Sequence, residues 1–194
     1  MPTVIAVMPV ETWDLREYTP AQAQAIGELI AQVWPKPHLT AADRADQQRE
    51  IGEKYRHLPG PAPRALVVVE GGRVLAHAAM LPREIRTTRG DMIIGGLARV
   101  CTEPAMRGQG LGELVVRAAF GLVDAGEFSF ALFQTNHRTS PFYEKLGAVP
   151  VHNAIINSVG EGPKGNPFWD EVVLRYPGNG DWPAGTIDLR GPGY

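Results

Sequence analysis

The stretch Arg107-Gly108-Gln109-Gly110-Leu111-Gly112 carries the clearest chemical content in the chain. Three glycines in five positions allow backbone conformations closed to other residues and let a ligand approach the main chain. The apolar pattern that follows predicts a helix opening at Gly110, and the first turn of a helix carries unpaired N–H groups and the positive end of its dipole. Such an arrangement suits a phosphate or pyrophosphate. Two other phosphate loops fit poorly. A Walker loop ends in Gly-Lys-Ser/Thr, which is absent, and a dinucleotide fingerprint needs glycine where Glu113 stands. A plain Gly-rich turn is the bland alternative, and the loop alone does not exclude it. Cys101, the only cysteine, could serve as an acyl nucleophile, but nothing places a histidine base beside it. A small core residue is the preferred reading.

The elements around this loop follow from periodicity and turn chemistry. Thr19-Pro20 reads as an N-cap with proline at the first helical position. Ile26, Leu29, Ile30 and Val33 then share one face, and Trp34-Pro35 closes the helix. A second helix is predicted from Thr40 to about His57, with a thin stripe of Ile51, Tyr55 and Leu58 that suggests a surface position. Leu66 to Val69, Val74 to Met80 and Met92 to Thr102 read as strands joined by turns at Gly71-Gly72 and Arg89-Gly90-Asp91, an antiparallel meander. Pro82 predicts a bulge or an edge in the middle strand.

After the Gly-rich turn, a helix is predicted from Gly110 to Ala125 with Leu111, Leu114, Val115, Ala118 and Leu122 inward. Phe128 to Thr135 is apolar on both faces, as in a strand covered on both sides. A short helix over Ser140 to Leu146 is closed by Gly147. Strands near Val149 to Ser158 and Phe168 to Tyr176 flank a Gly/Pro loop, and the tail from Pro177 is too rich in glycine and proline for regular structure. The order predicts an α+β domain around one mixed sheet, a single domain over residues 1–194 with a Gly/Pro-rich tail over 177–194.

Composition narrows the function. With 194 residues and a net charge of −2, the chain fits one globular domain and lacks the basic excess of a nucleic-acid-binding surface. One cysteine permits no internal disulfide, which suits a reducing compartment. Thr3 to Val10 is apolar, but it lacks a basic leader and is too short to span a bilayer. A cytoplasmic location, with no membrane or nucleic-acid partner, is expected.

Arg107 to Gly112 resembles the signature Gln/Arg-x-x-Gly-x-Gly/Ala of the GNAT acetyltransferases, and Pro141-Phe142-Tyr143-Glu144-Lys145-Leu146-Gly147 is similar to the superfamily's second signature, Phe-Tyr-x-Lys-x-Gly-Phe, with Ala148 in place of the final aromatic. The signatures lie about thirty residues apart with an apolar strand between, as in the family. The resemblance implies a mixed, mainly antiparallel sheet of about six to seven strands flanked by four helices. It implies acetyl-CoA as cosubstrate, with no metal expected. The amides of Arg107, Gly108, Gln109, Gly110, Leu111 and Gly112 would hold the CoA pyrophosphate. The strand through Val100, Cys101 and Thr102 would pair with the pantetheine arm, with a backbone N–H polarising the thioester carbonyl. Asn136 would touch pantetheine or CoA. Tyr143 matches the family's general acid for the departing thiolate, against a bland reading as a packing aromatic.

One feature departs from the family. Many members carry a glutamate on the fourth strand as general base, whereas Gly95-Gly96-Leu97-Ala98-Arg99-Val100 has no carboxylate. His77, Glu103, His137 and His152 are the candidates. His77 comes first because it lies on the strand predicted to pair with the fourth, and a base of ordinary histidine pKa, about 6.5, is expected. The bland readings are a packed strand residue for His77, a solvated loop charge for Glu103 and surface positions for the other two. A narrower resemblance to aminoglycoside 2′-N-acetyltransferases rests on Val74 to Ala79, Arg107-Gly108-Gln109 and Gly180-Asp181-Trp182 with Ala184-Gly185; the acidic strand residue of those enzymes falls at Ala98. The leading expectation is an N-acetyltransferase acting on a primary amine of a small molecule by direct attack on the thioester. An aminoglycoside-type acceptor and a non-catalytic acyl-CoA sensor are the alternatives, and a homodimer is compatible with the sequence.

Overall fold

The computed structural model describes residues 8–194. Of the apolar opening segment, Thr3 to Val7 lie outside the described residues, and its end enters a strand. The elements are β1 (Val10–Asp14), a 3-10 turn (Leu15–Glu17), α1 (Pro20–Val33), α2 (Ala41–Tyr55), β2 (Arg64–Glu70), β3 (Arg73–Thr87), β4 (Gly90–Thr102), a 3-10 turn (Pro104–Met106), α3 (Leu111–Asp124), β5 (Ala131–Thr135), α4 (Ser140–Glu144), β6 (Val149–Pro150), β7 (Ile155–Ile156), β8 (Val172–Tyr176) and β9 (Ile187–Asp188). This is the expected mixed α+β fold with four α-helices, and nine strands rather than six or seven among the described residues. The chain forms two compact units, and β3, β4 and α3 each contribute to both.

In the first unit, which takes in Arg99–Ala118 besides the chain up to Ala79, β1 pairs antiparallel with β2 over Val10–Asp14, and β2 neighbours β3 and β3 neighbours β4. Both early helices start where their caps predict. Thr19 and Gln22 form a capping box at α1, and Thr40 and Asp43 form another at α2. On α1, Ile26, Leu29 and Ile30 are buried as expected, while Val33 is only half-buried. The face of α2 is corrected. Its buried residues are Ala45, Gln48, Gly52 and Tyr55, and Leu58 is exposed. Small residues let backbones approach here: a Cβ on Gly27 would lie 2.5 Å from Ala41 O, and one on Gly52 would lie 2.0 Å from Leu15 O. A count of large apolar side chains misses packing of this kind.

The second unit comprises Met80–Ala98 and Ala119–Tyr194. There β4 pairs parallel with β5 at Gly95↔Ala131 and Gly96↔Leu132. β5 pairs antiparallel with β8 along its full length, and β8 with β6. Ile85, Ile94, Phe130, Leu132, Ile155, Phe168, Ile187 and Leu189 form its buried cluster.

Several expectations are revised. β3 runs through Pro82 to Thr87. The seven-residue β2 ends before it can pair that position, so the missing N–H costs no bond to β2. The inward face of α3 lies one residue on from the predicted one toward its end: Leu111, Val115, Val116, Ala119, Phe120 and Val123 are buried, while Ala118 and Leu122 are half-exposed. The strand predicted over Val149 to Ser158 is interrupted, leaving β6 and β7. The tail is also more regular than its composition suggests. β9 pairs with β3 and β7, Ile187 and Leu189 are fully buried, and Gln134 Nε2 donates to Tyr194 O at 3.0 Å. Among the described residues no helix is long and apolar enough to cross a membrane.

Candidate functional site

The glycine loop occupies the turn between Pro104–Met106 and α3. Gly108 and Gly110 have φ of 79° and 81°, in the left-handed region that favours glycine. A Cβ on either would meet nothing within 4 Å, so the space above the loop is open. Gly112 has a different reason to be small. A Cβ there would come within 3.2 Å of Thr102 Oγ1, where the first turn of α3 packs on the end of β4. The helical ladder begins with Leu114 N–H donating to Gly110 O at 3.1 Å. The amides just ahead of Leu114 therefore open the helix with no carbonyl behind them, and with the dipole they favour an anion. Arg107, Gly108, Gln109 and Gly110 are exposed, and Leu111 is buried. The residues present fit a pyrophosphate.

Val100, Cys101 and Thr102 form the end of β4, with Val100 and Thr102 half-buried and Cys101 buried. Burial pushes the Cys101 thiol up to about 12 in spite of the Arg107 and Arg99 charges that act on it. The thiol stays protonated at neutral pH, which a nucleophilic cysteine would not. Just before them, Arg99 adopts φ 54°, left-handed for a non-glycine residue inside a strand. Its carbonyl accepts a hydrogen bond from His77 Nδ1 at 2.8 Å. Since a carbonyl only accepts, the proton sits on Nδ1 and Nε2 carries the lone pair.

His77 is completely buried, and its Nε2 has no partner. Burial lowers its pKa to about 4, against a weaker opposing effect of the bond to Arg99. The expected base of pKa near 6.5 is corrected on this point: His77 is a neutral, enclosed ring that holds the backbone of β4. Glu103 is corrected as well. It is buried rather than solvated, its N–H donates to Leu75 O at 2.8 Å, and its carboxylate pairs with Arg73. His137 and His152 are exposed.

Tyr143 and Asn136 belong to the second unit, while His77, Val100 to Thr102 and the glycine loop belong to the first. Tyr143 is 7 % exposed on α4. Its ring packs 4.8 Å from Phe133 and 4.9 Å from Phe142, centroid to centroid. The packing role read from the sequence is thus present, and it holds the ring in one place. Asn136 Oδ1 accepts Thr139 N–H at 2.9 Å and its carbonyl accepts Ser140 N–H at 3.0 Å, so it starts the turn into α4. Among the described residues no group of three His, Cys, Asp or Glu is placed to hold a metal.

Sequence reasoning gave Arg99, Arg44 and Tyr18 no role, yet each buries a polar atom without a partner. Their separation along the chain hid the grouping, and the only local signal was a charged residue among the small and apolar ones of β4.

Among the described residues, nine mainly antiparallel strands, four α-helices and an open glycine turn at the head of α3 make up the fold expected of the acetyltransferase resemblance. The chain belongs to the GNAT acetyltransferases: the family model "Acetyltransferase (GNAT) domain" matches residues 14–151. It is 25 % identical over 126 residues to a glucosamine 6-phosphate N-acetyltransferase of Trypanosoma brucei brucei, covering 62 % of this chain and 78 % of that protein. It shares its fold with a GNAT family N-acetyltransferase from Escherichia coli in complex with CoA, at 13 % identity and TM-score 0.58 over 95 % of this chain and 91 % of the other. It shares it also with a GNAT family acetyltransferase from Brucella melitensis in complex with acetyl-CoA, at 20 % identity and TM-score 0.51 over 73 % and 84 %. Acetyl-CoA is the cosubstrate, and the chemistry is acetyl transfer.

Proposed function

We propose that the chain transfers the acetyl group of acetyl-CoA to a primary amine of a small molecule by direct attack on the thioester. The observation that carries this reading is the open turn at Gly108 and Gly110, which presents amides at the head of α3 to a pyrophosphate. The end of β4, Val100 to Thr102, supplies backbone N–H groups to the pantetheine arm and to the oxygen of the reacting carbonyl. Asn136 contacts the same arm. The amine nitrogen bonds to the acetyl carbon, the carbon–sulfur bond breaks, Tyr143 gives its proton to the departing thiolate, and the proton shed by the acylated nitrogen passes through water to restore the phenol.

The buried Cys101 thiol supports direct transfer rather than an acyl-cysteine. With Ala98 on β4 and His77 enclosed, the amine reaches the thioester already neutral or loses its proton to water. A phosphorylated amine is a reasonable acceptor class, since the curated relative is named for an amino-sugar phosphate.

The test is acetyl-CoA consumption with a panel of small amines, with the N-acetyl product identified by mass spectrometry. Amine-dependent release of free CoA with a matching product is expected. CoA binding without turnover across the panel would reduce the chain to an acyl-CoA sensor.

A further inference from the structure

The polar atoms of the first unit that are buried with no hydrogen-bond partner include Arg99 Nη1, Arg44 Nε and Tyr18 Oη. These three form one electrostatic group. Arg44 repels the Arg99 charge, and Arg99 and Tyr18 act on one another. The rest of Arg44 is fixed, with Nη1 donating to Gln47 Oε1 and Nη2 to Trp34 O, both at 3.2 Å. Asp14, the one carboxylate that acts on Tyr18, is already engaged: Arg16 binds it at 2.6 Å and Arg64 lies 3.7 Å away. Among the described residues neither Arg99 nor Arg44 has an ion pair.

A half-buried guanidinium with an enclosed, unpartnered nitrogen, set near another and with no counter-charge among the described residues, is costly to keep. Burial holds the Arg99 pKa down and the Tyr18 pKa well above its ordinary value. The phenol therefore stays a donor at any physiological pH, and guanidinium has donors only. An oxyanion satisfies all three. Arg99 also sits at the left-handed position of β4, immediately before Val100. Backbone strain of that kind persists where its surroundings demand it.

We propose that Arg99, Arg44 and Tyr18 recognise a carboxylate or phosphate group carried by the acceptor amine. The assignment rests on the acetyltransferase reading, because it places the anion one residue from the strand given to pantetheine. A planar guanidinium takes either oxyanion through paired N–H bonds. The same group disfavours a cationic polyamine, which argues against the aminoglycoside-type acceptor.

The test is calorimetric titration of the CoA-saturated chain with O-phosphoethanolamine and β-alanine, each set against its counterpart without the anion, ethanolamine and β-alaninamide. At least one anionic member binds about ten-fold or more tighter than its counterpart, the least expected of one charge-assisted contact. Arg99→Gln and Arg44→Gln each remove most of that preference and leave CoA affinity unchanged. Preference for the phosphate alone or the carboxylate alone assigns the anion. Equal binding within both pairs, no binding of either anionic amine, or a preference that survives both substitutions overturns the proposal. Failure of the acetyltransferase reading shows separately, as absent CoA binding or absent thioester turnover.

Thermal unfolding of the ligand-free protein gives an independent readout. Arg99→Met removes an unpaired, half-buried charge, so Tm should rise by about 2 to 4 °C for a chain of this size. A fall of that size would show that Arg99 is paired in the free protein and would overturn the site.

Discussion

His77 Nδ1–H donates to the carbonyl of Arg99 across 2.8 Å, tying β3 to the residue of β4 whose backbone turns left-handed. The ring is fully enclosed, and burial lowers its pKa to about 4. Unfolded, it titrates near 6.5, so between pH 4 and 6.5 the unfolded chain binds the additional proton. The stabilisation is complete above about pH 6.5 and is lost as pH falls toward 4, on the order of 3 kcal/mol in all. His77→Asn keeps an N–H for the carbonyl and has nothing to titrate. Urea unfolding at pH 7 and pH 4.5 should show a steep loss in the parent and a shallower one in the variant. Equal losses would place the acid sensitivity elsewhere.

The same burial changes what a rate profile should show. Because His77 does not charge near neutrality, the acidic limb of kcat/KM should follow the pKa of the acceptor amine. Two acceptors of different amine pKa should displace the limb accordingly, in the parent and in His77→Asn alike. A limb fixed near pH 6.5 for both amines would point to a titrating protein base instead.

Much of this was legible in the sequence where a local residue pattern has a local consequence. Thr19-Pro20, Thr40, Gly71-Gly72 and the glycines at 108 and 110 each specify a cap or a turn, and the structure has them. What escaped depends on residues far apart. The contacts of Gly27 with α2 and of Gly52 with Leu15 carry no hydrophobic signal, and the tail gains its order from β3, β7 and Gln134 rather than from its own composition. The same holds for the pKa of His77, which its neighbours decide, and for the grouping of Tyr18, Arg44 and Arg99.

Tyr143 gives a prediction that separates packing from proton transfer. Its ring lies against Phe133 and Phe142, and phenylalanine retains those contacts. Tyr143→Phe should therefore lower kcat about 100-fold or more, as loss of a positioned acid does, with little change in CoA affinity. Unchanged turnover would confine Tyr143 to packing.

Cys101 offers the converse case. Its thiol, pushed up to about 12 by burial, should resist alkylation at pH 7.5, and Cys101→Ala should retain turnover within a few-fold. Rapid acid-quench should show no acetyl-enzyme. A covalent acetyl adduct that disappears in Cys101→Ala would replace direct transfer with a two-step route.

The central claim, that the open turn at the head of α3 holds the CoA pyrophosphate, is tested most directly by comparing acetyl-CoA with acetyl-pantetheine, which lacks that group. The parent should use acetyl-CoA with kcat/KM about 100-fold or more above acetyl-pantetheine, since several charge-assisted contacts are at stake. Gly110→Asp adds a negative charge and a side chain at φ 81°. It should remove most of that preference while leaving activity on acetyl-pantetheine nearly unchanged. A Gly110→Asp protein that still discriminates as the parent does would contradict the account.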